Sequence, residues 1–335
     1  FYNLGLSVTG DAHTGLALYT LAQMIFMALA AGYVVRTLQK ADIMMPVLLI
    51  TIGFYALMPY NGAFAVTMWK DIPFAGCMTI FCAALMRFLL RGSCASSADA
   101  VPKLRISEYF TLLLPYVLSG TLLCLLRTNG WYAFVVSVPL ILLVYRKWLK
   151  VMVPVHLTIL ALVLFVKYPV MHVYEIPQAD FVESLSIPVQ QIARVIANGE
   201  SLTEHEAAYV DQLMDVEQIA AAYQPDCSDN IKNLIRQKGI RTLEADKDEF
   251  FKIWLSIGIE HPKAYFDAYT AQTNGYWYPD VACEVGLADG IYPNEFGLRW
   301  QPLIRGNVII KIKELLFKLP EMIPLYGLLW SMGFL

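Results

Sequence analysis

The chain has 335 residues, of which 57% are hydrophobic and only 16% are charged, and its formal net charge is −3. Ordinary soluble domains contain about 25% charged residues, so this composition argues against a soluble globular protein and for a membrane protein. Residues 168–317 hold 12 Lys/Arg and 22 Asp/Glu, a net charge of −10, and the rest of the chain has a net charge of +7. An acidic segment of this size argues against nucleic acid as a partner.

Apolar stretches mark six spans, each close to the ~20 residues that cross the ~30 Å hydrocarbon core of a bilayer. They cover about residues 15–38, 43–60, 72–90, 106–126, 131–145 and 151–166, and a seventh begins within 318–335. We therefore predict an all-α membrane protein: a polytopic transmembrane helix bundle over residues 1–167, followed by a mainly helical extracytoplasmic domain over 168–317. Because the chain begins at Phe1 and ends in an apolar run, we interpret it as an internal piece of a longer protein.

The distribution of Lys and Arg among the loops predicts the orientation, because cytoplasmic loops are enriched in both residues. The short loops on one side carry only Lys70 and Arg127. The other side carries nine cations: Arg36, Lys40, Arg87, Arg91, Lys103, Arg105, Arg146, Lys147 and Lys150. We place these nine in the cytoplasm of an integral plasma-membrane protein. Residues 1–14, the 60–71 loop, the 127–130 turn and the 168–317 domain then lie outside.

Helix signals recur in the acidic domain. We predict one helix from Ser186 to Gly199, and capping-box spacing at Ser201–Glu204 and Asp246–Glu249 indicates two more. Another is predicted over Lys263–Gln272, ending at the Asn-Gly pair that follows. The first helix carries an apolar stripe of Val189, Ile192, Ala193 and Ile196.

The six cysteines show no metal-ligand spacing. Cys77, Cys82 and Cys124 lie in apolar spans, where buried thiols are common. Cys227 and Cys283 fall in the acidic domain. A disulfide between them is one interpretation if this domain faces an oxidising compartment.

The candidate catalytic residues, Asp11 and His13, immediately precede the first span. A carboxylate at the membrane surface can act as a general base, with His13 as its helper or as a metal ligand. In the alternative interpretation Asp11 caps the helix and His13 is a solvated flank. Both interpretations stay open. The metal is unknown, and a divalent cation is one option.

Two short extracytoplasmic loops carry the candidate phosphate-binding cations. Trp69, Lys70 and Asp71 fit an interfacial tryptophan, a snorkelling lysine and a helix cap. Arg127 and Asn129 lie in a predicted tight turn, which the Asn-Gly pair explains by itself. An ammonium or guanidinium group at this surface can also hold the phosphate of a lipid-linked substrate. For these loops the structural and the substrate-binding interpretations both stay open.

Polar residues of the acidic domain supply further candidates for substrate binding. Glu183, Gln190 and Arg194 lie just after the last span of the bundle, and the last two share one face of the predicted helix. They would bind substrate if that face covers the bundle's outer mouth, or else form a solvated helix face. Tyr276 and Trp277 suit stacking on sugar rings, or packing onto the membrane or the domain core.

Several chemistries lack their sequence signatures. There is no phosphate-cradling glycine loop, nucleophile elbow or paired His/Cys metal motif. Without a nucleotide-binding fingerprint, an enzyme of this architecture would take its activated substrate from the lipid phase.

Four segments carry a resemblance to a known family: WKDIPFA at 69–75, LLRTNGWY at 125–132, ESLSIPVQQIARVI at 183–196 and NGYWYPD at 274–280. On these motifs the chain resembles a domain-of-unknown-function family of bacterial multi-pass membrane proteins. That family looks like a member of the GT-C glycosyltransferase superfamily, which includes protein mannosyltransferases and the aminoarabinose transferase.

The resemblance implies a helical bundle with an extracytoplasmic domain, a polyprenyl-phosphate-linked sugar as donor, and an acidic residue in an early outer loop as base. Asp11 would take that role, although His13 stands where the superfamily usually has a second acid. Lys70 and Arg127 would bind the phosphate.

We therefore expect a membrane glycosyltransferase that moves a sugar from a polyprenyl-phosphate carrier to a glycan, lipid or protein acceptor outside the cell. Besides these substrates, the lipid bilayer is the expected partner. A transporter or flippase of lipid-linked glycans is the first alternative, and it would need ionisable groups deep within the spans. A non-catalytic surface-polysaccharide assembly protein is the second.

Overall fold

A computed structural model describes residues 2–93, 105–176, 180–277, 294, 296–299 and 306–322. Within these ranges the chain forms helices and turns and no β-strand, and several helices are long and apolar, which confirms the predicted all-α membrane fold. The chain separates into two compact units. Unit 1 is Phe1–Ile176 with Ala288–Phe317, and unit 2 is Pro177–Leu287 with Lys318–Leu335.

In residues 2–93 and 105–176, which the structure describes, unit 1 has eight helices. They are α1 (Tyr2–Thr9), α2 (Ala12–Lys40), α3 (Met45–Leu57), α4 (Pro59–Val66), α5 (Asp71–Ser93), α6 (Ile106–Leu126), α7 (Thr128–Val144) and α8 (Arg146–Val173). Among the described residues, α2, α5, α6 and α8 are long and apolar enough to cross a membrane. They coincide with the first, third, fourth and sixth predicted spans.

The second and fifth predicted spans form shorter apolar helices. α3 has 13 residues, about 20 Å at 1.5 Å per residue, and α7 has 17 residues, about 26 Å. α3 ends before Met58, because the following Pro59 disfavours a helical conformation at the residue that precedes it. The chain then forms α4, where the sequence predicted the beginning of a loop.

α5 packs against both α2 and α6. A Cβ atom added to Gly76 of α5 would lie 2.5 Å from Cε1 of Phe26 in α2. Further along, Arg87 donates from Nε to Oγ1 of Thr37 at 2.7 Å. In each pair the two residues are 50 positions apart in the chain, so α2 and α5 run parallel in a constant register.

Unit 2 contains seven helices within residues 180–277. They are α9 (Ser186–Ala197), α10 (Glu204–Leu213), α11 (Val216–Ala222), α12 (Asp229–Lys238), α13 (Ile240–Ala245), α14 (Lys247–Glu260) and α15 (Pro262–Trp277). A 3₁₀ turn over Phe181–Leu185 leads into α9. The sequence-based prediction missed α11, α12 and α13.

α9 lies at the centre of unit 2 and contacts α11, α12, α14 and α15. Its predicted apolar stripe is confirmed, because Val189, Ile192 and Ala193 are at most 1% exposed and Ile196 packs against the same core. Gly199, which follows the helix, has a φ of 72°, a backbone conformation that favours glycine.

The ends of the other helices differ in part from the predictions. Asp246 caps α14 as expected, accepting a 2.9 Å hydrogen bond from the backbone of Glu249. The predicted capping box at Ser201–Glu204 is wrong, because Thr203 and Glu206 exchange the two capping hydrogen bonds two residues later. α15 also continues through the Asn-Gly pair at which it was expected to end.

Two predictions reach the end of the described residues. A last helix, α16 (Asn307–Met322), continues past the predicted start of the seventh span at residue 318. Residues 323–335, which would form the rest of that span, lie outside the described residues. So does Cys283, and its pairing with Cys227 therefore stays a prediction.

Candidate functional site

Asp11 caps the N-terminus of α2. Its Oδ1 accepts hydrogen bonds from the backbone N–H of His13 at 3.1 Å and from His13 Nδ1 at 3.0 Å. Gly10, with a φ of 71°, turns the chain between α1 and α2. Gly5 allows α1 to lie directly on α2, since a Cβ there would approach the backbone N of Gly15 to 2.2 Å. The local sequence therefore fixes Asp11 at the start of α2, a helix that is long and apolar enough to cross a membrane.

His13 connects Asp11 to a distant part of unit 1. Its Nε2 accepts a hydrogen bond from the backbone N–H of Arg299 at 3.0 Å. The carbonyl oxygen of Arg299 lies 3.2 Å from the same nitrogen, and Nδ1 faces the Asp11 carboxylate. Both ring nitrogens of His13 thus have hydrogen-bond partners within unit 1. The interpretation of His13 as a metal ligand stays a prediction.

Asp11 is the group at this site that remains available to a substrate. Its side chain is 53% exposed. The hydrogen bond from the His13 side chain, followed by the one from its backbone, lowers the pKa of Asp11 below the ordinary value of 3.8. The carboxylate is therefore ionised at neutral pH. It is a good hydrogen-bond acceptor but a weaker base than an ordinary aspartate.

A second cluster lies where α5 begins and α6 ends. Nη1 of Arg127 lies 3.1 Å from Oδ1 of Asp71, and each side chain is 40% exposed. Lys70 and Trp69 are exposed in the residues that lead into α5, with Trp69 60% exposed. Asp71 thus pairs with Arg127 as well as standing at the start of its helix. An anion that binds Arg127 must compete with this carboxylate.

The chain turns tightly between α6 and α7 as predicted, but the Asn-Gly pair does not form the turn. Arg127 alone separates α6 from α7, in an extended conformation with φ −140° and ψ 140°, and Asn129 lies exposed in the first turn of α7. Gly130 is required for a different reason. A Cβ there would lie 2.3 Å from the carbonyl oxygen of Leu123 and 2.7 Å from the ring of Phe74. The glycine lets α7 fold back closely against α6.

The Asp11–His13 cluster and the Asp71–Arg127 cluster lie at different positions when both are projected onto the axis of α2. The 50-residue register between α2 and α5 sets Asp71 level with Leu21. Leu21 is ten residues beyond Asp11, which corresponds to about 15 Å along the helix axis. The structure therefore brings Asp71 and Arg127 together, and Asp11 and His13 together, as two separate groups of unit 1.

Glu183 takes part in a network of ion pairs within unit 2. Its carboxylate contacts Lys232 Nζ at 3.1 Å and also contacts Arg236, which binds Asp180 at 2.7 Å. Burial raises the pKa of Glu183, but hydrogen bonds from Lys232 and Arg236 outweigh burial and leave it below 4.5. The network joins the 3₁₀ turn to α12, so Glu183 has a structural role.

Gln190 and Arg194 do not form a solvated face of α9. Gln190 is fully buried and donates from Nε2 to the carbonyl oxygen of Gln224 at 2.6 Å. The guanidinium of Arg194 lies 5.8 Å from the centre of the Tyr223 ring. These contacts fix the segment after α11 against α9. Whether α9 covers the mouth of the bundle stays a prediction.

The aromatic candidates Tyr276 and Trp277 form the end of α15. The stacking prediction concerns their side chains, which lie outside the described part of the structure, as does the rest of the aromatic motif from residue 278.

The sequence-based prediction missed a buried polar pair, Tyr116 and His156, in the core of unit 1. The hydroxyl of Tyr116 in α6 donates to Nε2 of His156 in α8 at 2.9 Å, and His156 Nδ1 donates to the carbonyl oxygen of Met152 at 2.7 Å. His156 is 5% exposed and stacks on Phe134. The sequence feature that could have revealed this pair is His156 itself, a lone histidine inside an apolar span.

Arg87 is a buried charged residue of unit 1. Its guanidinium lies 3.7 Å from the centre of the Tyr33 ring and donates from Nη1 to the carbonyl oxygen of Thr111 at 3.0 Å. The sequence assigned Arg87 to a cytoplasmic flank, but it is 6% exposed. Within the described residues no group of three or more His, Cys, Asp or Glu side chains is placed to hold a metal ion.

Comparison with protein families identifies a relationship over most of the chain. The model of a family of unknown function, DUF6020, matches residues 1–286, which is most of the chain. No curated protein and no solved structure matches. The motifs at 69–75, 125–132, 183–196 and 274–280 all lie within the matched residues. The chain belongs to the DUF6020 family.

Proposed function

We propose that this chain is a membrane glycosyltransferase of GT-C type. It transfers a sugar from a polyprenyl-phosphate carrier to an acceptor on the extracytoplasmic side of the plasma membrane. The supporting observation is the Asp11 carboxylate, which is ionised, half exposed and held by His13 at the start of a membrane-spanning helix. A carboxylate in this position can accept the hydrogen bond of an acceptor hydroxyl as that hydroxyl attacks.

In this proposal, the second cluster binds the leaving group. Lys70 and Arg127 would neutralise the carrier phosphate as its bond to the sugar breaks, in the way that charge developing in a transition state is stabilised. Arg127 would exchange its ion pair with Asp71 for the phosphate, and Asp71 would then favour release of the product.

The axial offset between the two clusters is compatible with one transfer reaction. Transfer requires a row of carboxylate, acceptor hydroxyl, anomeric carbon, phosphate and cation. With each member about 3 Å from the next, this row is about 12 Å long. The axial separation of about 15 Å between Asp11 and Asp71 is of the same size, and the long side chains of Lys70 and Arg127 can shorten it.

The experiment uses purified protein reconstituted in liposomes with a radiolabelled polyprenyl-phosphate sugar. Transfer of label to a glycan, lipid or protein acceptor supports the proposal. Movement of the intact labelled lipid between leaflets without transfer would instead identify a transporter or flippase. Neither transfer nor movement, over a panel of sugars and acceptors, would favour a non-catalytic assembly protein.

The transporter alternative receives limited support from His156. It is an ionisable residue buried within a membrane-spanning helix, a position that often marks a transport pathway. However, both of its nitrogens have partners inside the protein, and aromatic rings pack around it. This arrangement is typical of a structural polar pair.

A further inference from the structure

One surface of unit 2 exposes large apolar side chains that its core does not need. Three of them lie on α14 and two on α15. We name this surface the hairpin face, and its residues are Phe251 (42% exposed), Leu255 (56%), Ile259 (72%), Phe266 (69%) and Tyr269 (47%). Meanwhile the core-facing Phe250, Ile253 and Ile257 of α14 are at most 4% exposed. Unit 2 therefore has a complete core and an additional apolar surface.

The spacing and packing of the two helices make this a single surface. Phe251, Leu255 and Ile259 are four residues apart, so they form one stripe along α14. α14 and α15 meet where Gly258 lies under the ring of Tyr265, since a Cβ on the glycine would come within 2.7 Å of that ring. Gly258 adjoins Ile259, and Tyr265 adjoins Phe266. The exposed stripes of the two helices consequently border the same contact.

A hydrogen bond holds the two helices in this arrangement. The hydroxyl of Tyr265 donates to the carbonyl oxygen of Trp254 at 2.7 Å. Trp254 in turn donates from Nε1 to the side chain of Gln191 in the central helix α9 at 2.9 Å. The hairpin face is thus presented by a well-supported part of unit 2. Apolar surfaces that are contiguous and rigid in this way mark interaction sites.

The short connection between α8 and unit 2 indicates what the hairpin face binds. α8, which is long and apolar enough to cross a membrane, ends at Val173, and the first turn of unit 2 begins at Phe181. The seven residues between them extend at most about 25 Å, at up to 3.6 Å each. A bilayer crossed by α8 is therefore within reach of unit 2 at high effective concentration.

We propose that the hairpin face is a membrane-docking surface, whose five apolar side chains insert into the interfacial region of the bilayer. Burial of apolar area drives this docking. Charge does not drive docking. Residues 177–287 of unit 2 hold 8 Lys/Arg and 18 Asp/Glu, a net charge of −10, and an anionic membrane would repel them. The proposal is independent of any transferase activity.

The test is photo-crosslinking of the full chain in phosphatidylcholine nanodiscs. A photoreactive amino acid replaces Leu255 in one protein and Gln237, an exposed residue of α12, in the matched control. We expect phosphatidylcholine adducts, identified by mass spectrometry, at least tenfold more abundant at residue 255 than at residue 237. Their yield should be unchanged between low and high salt.

Three results would overturn the proposal. The first is a yield of lipid adducts at residue 255 no higher than at residue 237. The second is cross-linking of residue 255 mainly to a second copy of the chain, seen as a doubled mass on denaturing gels. The third is a lipid-adduct yield that falls with salt, because apolar insertion is not screened. A second probe at Ile259 in the same experiment guards against a local defect at Leu255.

Discussion

Replacing Glu183 with Gln should loosen the connection between the 3₁₀ turn and α12. The Lys232 side chain, which binds Glu183, is only 6% exposed, so it depends on its partners for compensation of its charge. Breaking a fully buried ion pair costs about 3–5 kcal/mol, whereas an exposed pair contributes about 0–1 kcal/mol. Glu183 itself is 48% exposed, and Lys232 keeps a second partner, Asp229, at 2.6 Å. We therefore expect a cost of about 1–2 kcal/mol.

Hydrogen exchange followed by mass spectrometry measures this cost in the whole protein. A local loss of about 1–2 kcal/mol corresponds to roughly 5–30-fold faster exchange of amides in residues 181–185 and in α12. Glu249→Gln is the matched control, because Glu249 pairs with Lys252, whose side chain is 72% exposed. An i,i+3 pair of this kind on a helix contributes about 0.2–0.5 kcal/mol, so amide exchange in α14 of the Glu249→Gln protein should rise by no more than about twofold. Equal effects of the two substitutions would refute the reasoning from burial.

Three further predictions concern acid stability and the core of unit 1. The pKa of Glu183 is lower in the folded protein than in the unfolded chain, so its stabilising contribution is complete above pH 4.5 and is lost as the pH falls through the lower, folded-state pKa. Near-UV circular dichroism during an acid titration would show this loss of stability. Gly130→Ala should lower the thermal unfolding temperature in detergent, whereas Gly62→Ala should not, since a Cβ on Gly62 meets nothing within 4 Å. Tyr116→Phe removes the hydroxyl that donates to His156 and should cost about 1 kcal/mol in the same assay, and an unchanged unfolding temperature would contradict the structural role of this pair.

Apolar length predicted the main helices well, because a helix that crosses a bilayer must be continuous and hydrophobic. Local signals for helix ends were less reliable. The Asn-Gly pair at Asn129 is typical of a turn, yet it lies inside α7, because Gly130 is needed where α7 meets the backbone of Leu123. Close packing between helices is a tertiary effect that spacing along the chain does not reveal.

The polar residues of α9 show the same limit. The sequence shows one apolar stripe and suggests a solvated opposite face, but α9 is surrounded by other helices, so Gln190 is buried and bonded within unit 2. Asp11 and His13 could be paired from sequence, because they are two residues apart at a helix start. The contact of His13 with Arg299, 286 residues away in the chain, could not.

The most direct test of the central proposal compares sugar transfer by Asp11→Asn and Asp42→Asn in liposomes containing the labelled polyprenyl-phosphate donor. Asp42 is an exposed aspartate just beyond the other end of α2, with a φ of 58° that asparagine tolerates. The proposal predicts that Asp11→Asn lowers kcat by about 10²-fold or more and that Asp42→Asn retains full activity. Transfer by folded Asp11→Asn protein at the unsubstituted rate would contradict the role assigned to Asp11.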